Sequence, residues 1–167
     1  MTSPSLVALL ALMLTLPEAS LAQQVMPTEQ NIAAQETPWQ VNCVPGSNAA
    51  QLDCSMVKSL IVGQNGQVLA QTAVVAGVPD ALRILVPHGM ALAEGLRVSV
   101  DGTEVATPAF RTSLQGGALA VADVTPGIEE AMRTGSRLQI EGVQNNGSAL
   151  RLEMSLSGFS AAMDKLR

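Results

Sequence analysis

The stretch LRVSVDGTEVATPAF, residues 96–110, indicates the fold of this chain more clearly than any other. Leu96, Val98 and Val100 alternate with polar residues, which is the period of a β-strand with one buried and one solvated face. Asp101-Gly102 then interrupts the run, and a second β-prone run follows. Asp-Gly suits a two-residue hairpin turn, because both turn positions require a positive φ. We therefore predict an antiparallel hairpin centred on Asp101-Gly102.

Two further stretches have the same layout. SLIVGQNGQVLAQTAVV, residues 59–75, is centred on Asn65-Gly66, and RLQIEGVQNNGSALRLEMSL, residues 137–156, is centred on Asn146-Gly147. Asn146 also begins a glycosylation sequon, but the hairpin turn explains the residues better. Three hairpins of this kind predict a mainly β, antiparallel fold.

One or two short helices are expected beside the strands. In VTPGIEEAMRTGS, residues 124–136, Thr125 suits the N-cap position and Gly135 the terminator. The adjacent acids of its first turn, Glu129 and Glu130, point apart and are expected to be a solvated helix start. In SGFSAAMDKLR, residues 157–167, an apolar stripe (Phe159, Met163, Leu166) predicts a C-terminal helix docked on the sheet, with a partner-binding helix as the alternative.

The first 22 residues have the layout of a secretory signal peptide. An apolar run ends at Pro17, and small residues occupy the two positions that a signal peptidase reads. We predict a signal peptide over 1–22, cleaved between Ala22 and Gln23, rather than a helix of the folded protein. Residues 23–38 are polar and are expected to be flexible, followed by one domain over 39–167. No second long apolar run follows, so we expect no transmembrane segment in the mature chain.

The composition argues against nucleic-acid binding. The formal charge is −5, and the chain contains two Phe, one Trp and no Tyr. Phosphate backbones are bound by clustered cations, and bases are stacked on aromatic faces. Neither feature is present, so nucleic acid is not an expected partner.

Cys43 and Cys54 are the only cysteines of the chain. Ten residues separate them, whereas thioredoxin-type redox centres use two and structural zinc needs four ligands. In an oxidising compartment this spacing favours a disulfide that closes a turn, with a reactive dithiol or a metal site as the alternatives. Closing a loop of about 12 residues would stabilise the fold by roughly 3 kcal/mol in the chain-entropy model.

The motifs assemble no catalytic, cofactor or metal site. His88 lies between Pro87 and Gly89 and is expected in an exposed turn. A Ser-His or Cys-His centre would have to use it, and no G-x-S-x-G elbow supplies the serine. Phosphate loops, EF-hand loops and H-E-x-x-H motifs are missing as well. We therefore predict no enzymatic activity, no cofactor and no metal, and we regard the turn positions His88, Asn65 and Asn146 as places where contacts could lie.

Several short motifs in a fixed order carry a family resemblance. Trp39 and the two cysteines are followed by ILVPHGMALAEGLRVSVDG (84–102), FRTSLQGGALA (110–120), AMRTG (131–135) and LEMSLSGFSAAMDKL (152–166). Together these resemble the invasion-associated locus B family of exported alphaproteobacterial proteins, over residues 39–166. The resemblance implies an antiparallel β-sandwich with short helices, an exported location and no known enzymatic activity.

The chain departs from the family pattern at one place. Typical members carry F..C…GC.A, a second cysteine pair, where this chain has FRTSLQGGALA, and the matching positions are Ser113 and Gly117. Loss of both cysteines together is expected if they were bonded to each other, and it supports a Cys43–Cys54 disulfide. Cysteines introduced at Ser113 and Gly117 are expected to bond and to raise the melting temperature.

With the resemblance, these features predict an exported, non-enzymatic protein acting by surface contacts in the cell envelope or in host-cell invasion and virulence. Its partner would be an unidentified protein of the envelope or the host cell. The expected location is the periplasm, with peripheral outer-membrane association or secretion as alternatives. A periplasmic chaperone or a small-ligand-binding module is the rival function, which needs an open strand edge or an apolar cavity. An enzyme based on His88 or on a free dithiol is the least favoured class.

Overall fold

The structure, a computed structural model, describes residues 34–46 and 52–167. The predicted signal peptide, the Ala22–Gln23 cleavage position and residues 23–33 lie outside the described residues, so those predictions remain predictions. Residues 47–51, between the two cysteines, also lie outside them.

The described residues form eleven strands and two helices. In chain order these are β1 (Gln35–Glu36), β2 (Gln40–Pro45), β3 (Leu52–Val62), β4 (Gln67–Val75), β5 (Ala81–Val86), β6 (Leu96–Val100), β7 (Thr103–Ala106), β8 (Ala109–Leu114), β9 (Gly117–Asp123), α1 (Pro126–Thr134), β10 (Arg137–Val143), β11 (Ala149–Ser155) and α2 (Phe159–Leu166).

The strands pair into two antiparallel sheets. The large sheet follows the order β1–β3–β4–β5–β9–β8, and β2 pairs with the part of β3 that β1 leaves open. The small sheet follows the order β11–β10–β6–β7. The predicted mainly β fold, an antiparallel β-sandwich with short helices including a C-terminal one, is confirmed.

The inner faces of the two sheets share one hydrophobic core. Period-two burial is clearest in β5, where Leu82, Ile84 and Val86 are all 0% exposed. The Thr72 hydroxyl of the large sheet donates to Sδ of Met154 in the small sheet at 3.3 Å, inside this core. Burying a large aliphatic side chain contributes roughly 1.5–3 kcal/mol, so the shared core is what holds the sheets together.

All three predicted hairpins are present, but only one has the predicted two-residue turn. The strands pair directly on either side of Asp101-Gly102, whose φ angles are 48° and 85°. The other two turns have four residues (63–66) and five residues (144–148). An Asn-Gly pair therefore marked the hairpins correctly but not their loop lengths, because strand register is set by which faces must be buried.

The segment predicted to be flexible is ordered at its C-terminal end. Gln35–Glu36 forms β1 against β3, and the Glu36 carboxylate lies 3.0 Å from Nζ of Lys58, which is buried. The same carboxylate accepts a hydrogen bond from the Ser155 N–H of the small sheet. The prediction was therefore wrong for residues 35–38, because a polar segment becomes ordered when it neutralises a buried cation, which composition does not reveal.

Both helices match their sequence signals. The Thr125 hydroxyl accepts a hydrogen bond from the Ile128 N–H at 3.3 Å, which caps α1 as predicted. The stripe of α2 (Phe159, Met163, Leu166) is buried in the shared core, so this helix docks on the sheets. Phe159 packs edge-on against Trp39, with ring centroids 5.3 Å apart, and so joins the last helix to the start of the domain.

The two ends of the sandwich differ. At the helix end, α1 carries the chain from the large sheet to the small one, and α2 follows β11. Loop 76–80 and the Asp101-Gly102 turn lie at this end as well, where Arg167 pairs with Asp80 and the Ser136 N–H donates to the Asp101 carboxylate. At the opposite loop end lie the connections 63–66, 87–95, 107–108, 115–116 and 144–148. Loops gathered at one end of a rigid sandwich are a common place for binding.

Candidate interaction site at the loop end

The three turn positions singled out from the sequence lie at the same end of the molecule. Asn65 is in turn 63–66, His88 is in segment 87–95 and Asn146 is in turn 144–148. The sequence placed each one in a separate turn, and the antiparallel pairing order brings the turns to one end.

Segment 87–95 is fixed to its neighbours by backbone hydrogen bonds. The Asn145 N–H donates to the Gly89 carbonyl at 2.7 Å, and the Ala91 N–H donates to the Val143 carbonyl at 2.8 Å. These bonds join the segment to the β10–β11 hairpin, so this part of the loop end is held in one arrangement.

A half-open groove of about 500 Å³ lies at the loop end. Its walls come from the segment after β5, the β7–β8 corner and the β10–β11 hairpin. Leu92 and Val143 expose 57% and 40% of their surface there, and Phe110 and Leu150 are half-buried against the core. Exposed apolar side chains grouped around a concave surface are typical of an interaction site.

The charged side chains around this groove largely neutralise one another. Nε of Arg151 lies 3.3 Å from the Glu141 carboxylate, and Nε of Arg97 lies 2.9 Å from the Glu104 carboxylate. These pairs are exposed, so each contributes little stability. Because these pairs balance, Glu94 is the one lining charge without an ion pair among the described residues, and the rest of the concave surface is largely apolar.

His88 is exposed, as predicted, and lies beside a serine. Its Nδ1 is 3.4 Å from the Ser113 hydroxyl, and its Nε2 is 3.4 Å from the Gln115 carbonyl oxygen. Both distances are at the outer limit of a hydrogen bond. No carboxylate contacts the imidazole in the described part of the chain, so the contact resembles a surface hydrogen bond more than an activated Ser-His pair.

Cys43 and Cys54 are joined in a disulfide, which confirms the predicted pairing. They stand directly opposite each other on β2 and β3, with their Cα atoms 4.0 Å apart. The bond thus ties the short edge strand β2 to the long strand β3. It lies away from the groove and is a support for the sheet edge.

The prediction that Ser113 and Gly117 face each other is wrong. The register of β8 and β9 pairs Ser113 with Ala118, and Leu114 with Gly117. A Cβ atom at Gly117 would clash with the carbonyl oxygen of Val86, so no cysteine fits there. The pattern GC.A fits one residue later, with Gly117 as its glycine and Ala118 at the cysteine position.

The adjacent acids of α1 differ from the expected solvated helix start. Glu129 is largely covered, and its carboxylate binds Nε of Arg133 at 2.8 Å and also the Arg167 guanidinium. The hydrogen bond from Arg133 lowers the pKa of Glu129, against an opposing effect of burial, and Arg167 lowers it further. Arg133 continues the network to Asp164 of α2 at 2.8 Å. Glu130 alone is the solvated residue that the sequence predicted.

Metal ligands do not cluster in the described part of the chain, which contains no group of three or more His, Cys, Asp or Glu side chains placed to hold a metal ion. The helices of this part, of nine and eight residues, are too short to span a bilayer.

Sequence reasoning missed the walls of the groove. Leu92 and Val143 flank turns, where an apolar residue has no periodic neighbours to show which way it points. The one usable signal was the run GMALAEGL, residues 89–96, whose apolar residues are too close together for a solvated turn.

The fold and its site define a class: a small antiparallel β-sandwich closed by helices at one end and grooved at the other. A family model described as invasion associated locus B (IalB) protein matches residues 39–167, and the chain belongs to this family. Its relatives include an invasion protein B homolog of Brucella abortus strain 2308, 27% identical over 132 residues, which cover 77% of this chain and 75% of the relative. The homolog from B. abortus biovar 1 strain 9-941 matches to the same extent.

A solved structure has the same fold. The crystal structure of invasion associated protein B from Bartonella henselae aligns with a TM-score of 0.68 at 22% identity. The alignment covers 79% of this chain and 92% of the Bartonella chain. The predicted family and fold are therefore confirmed.

Proposed function

We propose that this protein is exported and acts without enzymatic activity, by binding another protein through the loop-end groove. One observation carries the proposal: exposed Leu92 and Val143 flank a groove at the end of the sandwich that the helices leave open. A partner segment that covers two such side chains gains free energy from their removal from water. The names of the relatives refer to invasion, which favours a host-cell partner, and a partner in the bacterial envelope is the alternative.

Export is supported by the leader sequence and by the disulfide. Bonds such as Cys43–Cys54 persist in oxidising compartments and are rare in the cytosol. Cells of the native organism should be separated into cytoplasm, periplasm, outer membrane and medium, and the protein quantified in each. We expect a chain shortened to Gln23 in the periplasm, at the outer membrane or in the medium. Full-length protein confined to the cytoplasm would contradict export.

The groove contact can be tested with a photoreactive amino acid. We expect p-benzoylphenylalanine in place of Leu92 to give a discrete protein adduct in native cells. Val78, fully exposed in loop 76–80 at the helix end, is the matched control position and should give none. Val143→Glu should abolish the Leu92 adduct, because it places a charge at the groove. Equal adducts from Leu92 and Val78, or an adduct that Val143→Glu leaves intact, would rule the groove out.

The absence of enzymatic activity is supported by the long, exposed contact between His88 and Ser113. An activated serine would acylate with an ester such as p-nitrophenyl acetate and release nitrophenol. We expect the same slow release from the wild type and from Ser113→Ala. A clear drop in Ser113→Ala would show that the serine reacts and would overturn this part of the proposal.

The size of the groove favours a second candidate function, the binding of a small apolar ligand. Its volume of about 500 Å³ lies within the range of small-molecule sites, roughly 300–1,000 Å³. Native mass spectrometry of protein taken from its own cells separates the two functions. A mass increment of a few hundred daltons in the wild type that Val143→Glu removes would favour the ligand. A wild-type mass equal to that of the protein chain alone would favour the protein partner.

A further inference from the structure

The outer faces of the two sheets have opposite character. On the small sheet, Arg97, Glu141 and Arg151 stand side by side across three strands, as an exposed row of alternating charge. On the large sheet, the outward positions of the central strands are mainly aliphatic. We call this surface the aliphatic face, and it consists of Val57, Val75, Leu85, Leu114, Leu119 and Val121.

Neither helix covers the aliphatic face. The apolar stripe of α2 is buried in the core between the sheets, and α1 packs against β7 of the small sheet and against α2. In the described residues, β4, β5 and β9 contact mainly their neighbouring strands in the sheet, and α2, which contacts β3, packs on the core side. Leu114, at the edge of the face, is 47% exposed, and the other five side chains are half-buried between their neighbours on the sheet. A group of partly exposed apolar side chains on a sheet face that no helix covers is typical of a protein contact.

Among the aliphatic residues of this face, Arg83 and Asp123 lie on neighbouring strands. Arg83 of β5 pairs with Val121 of β9, and Asp123 of β9 pairs with Ala81, two residues from Arg83. Neither Arg83 nor Asp123 has an oppositely charged partner among the described residues. A cation and an anion that stand next to each other without pairing make a surface complementary to itself.

We propose that the aliphatic face is the contact surface of a homodimer, in which Arg83 of each copy meets Asp123 of the other. A two-fold axis lying between the two faces, oblique to the strands, exchanges these positions, as an isologous contact requires. The strands of the two copies then cross at a steep angle, which is one of the two common arrangements of packed sheets. This inference is independent of the proposed function, since the groove lies at the loop end and not on the face.

The size of the face sets the expected strength of the dimer. Five strands spaced about 4.8 Å apart give a width of roughly 20 Å, and the nine residues of β4 give a length of roughly 30 Å. Two such faces bury roughly 1,200 Å², which is the lower end of the range for stable interfaces. We therefore expect a monomer–dimer equilibrium with a dissociation constant of roughly micromolar order.

Sedimentation velocity over a wide range of protein concentration tests the proposal. The wild type should change from monomer to dimer as concentration rises. Leu119→Glu should remain a monomer, because it buries a charge in the contact. Gln139→Glu, on the outer face of the small sheet, is the matched control and should dimerise like the wild type. A wild type that stays monomeric throughout would overturn the proposal and leave the face to a different partner. A Leu119→Glu variant that still dimerises would overturn it by showing that the dimer forms through another surface.

A charge exchange tests the predicted contact itself. Arg83→Glu and Asp123→Arg should each raise the dissociation constant about tenfold or more, because like charges then face each other. The double variant Arg83→Glu/Asp123→Arg should recover most of the affinity, which a change that merely damages the fold cannot do. Two single variants without effect, or a double variant weaker than both, would show that these residues do not meet.

Discussion

Lys58 is a cation on the inner face of the large sheet, and Glu36 is its partner. The Lys58 side chain is 5% exposed, and the ammonium contacts the Glu36 carboxylate at 3.0 Å. Removing one partner of a buried ion pair leaves a charge without compensation, which costs far more than the intact pair contributes. A residue from a segment predicted to be flexible is therefore needed to bury the lysine.

We expect Glu36→Gln to lower the free energy of unfolding by about 2–3 kcal/mol, measured by urea denaturation. The double variant Glu36→Gln/Lys58→Met should recover much of the loss, because it removes the cation as well. Glu153→Gln breaks an exposed pair with Arg137 and is the control, with an expected change below about 0.5 kcal/mol. If Glu36→Gln unfolds at the same urea concentration as the wild type, Lys58 does not depend on Glu36.

Glu129 links pH to stability at the helix end. Its pKa is lowered in the folded protein, chiefly by the hydrogen bond from Arg133. A carboxylate with a lowered folded pKa stabilises the fold above its unfolded pKa and loses that contribution as pH falls through its folded pKa. The stabilisation is therefore complete at neutral pH and disappears in acid, below an ordinary value of about 4.5.

The variant Glu129→Gln should be less stable than the wild type by about 1 kcal/mol at neutral pH. The difference should shrink as the pH is lowered below about 4.5, and it can be followed by thermal unfolding at a series of pH values. Glu130→Gln, at the exposed neighbouring position, should leave the profile unchanged. A Glu129→Gln deficit that stays constant with pH would mean that the carboxylate charge is not the cause.

At the scale of an element, the β8–β9 hairpin can be given the disulfide that the family pattern suggests. Ser113 and Ala118 stand opposite each other, one pair away from the two-residue turn. The pair that closes such a turn is hydrogen-bonded, so the next pair is of the closer, non-hydrogen-bonded kind. The closely spaced Cα atoms of Cys43 and Cys54 show that this sheet accepts a bond between opposed residues.

Ser113→Cys/Ala118→Cys should form a disulfide in the oxidised protein and raise its melting temperature by several degrees. Ser113→Cys/Gly117→Cys is the matched control and should be less stable than the wild type, because a side chain at Gly117 meets the Val86 carbonyl oxygen. Free thiols can be counted with a thiol reagent under denaturing conditions. If the Gly117 variant forms the bond and the Ala118 variant does not, the strand register is different.

For the whole molecule, the Cys43–Cys54 disulfide secures the edge of the large sheet where β2 begins the domain. Replacing both cysteines by alanine should lower the free energy of unfolding by roughly 3 kcal/mol, or about 10 °C in melting temperature. A reducing agent should lower the melting temperature of the wild type by a similar amount and leave that of the alanine variant unchanged. A wild type that is insensitive to reduction would show that the bond does not contribute to stability.

Local sequence features determined the strands, the hairpins and both helices. Leu96, Val98 and Val100 alternate because one face of β6 is buried, and Asp101-Gly102 follows because the turn needs positive φ at both positions. The same reasoning located Thr125 as a cap and the stripe of α2 as a docking face. The disulfide could be predicted because ten residues separate the two cysteines, which suits neither a redox motif nor a zinc site. The absence of both cysteines of the family's second pair also supported it.

Tertiary structure alone decided which of these pieces meet. The register of β8 and β9 placed Ala118, not Gly117, opposite Ser113, because the other face of the hairpin must be buried. Glu36 became ordered through a lysine 22 residues away, and Glu129 was covered by Arg133 of α1 and by Arg167, which directly follows α2. The groove and the aliphatic face arise only when distant strands lie side by side. Local periodicity describes one strand at a time and carries no information about its neighbours.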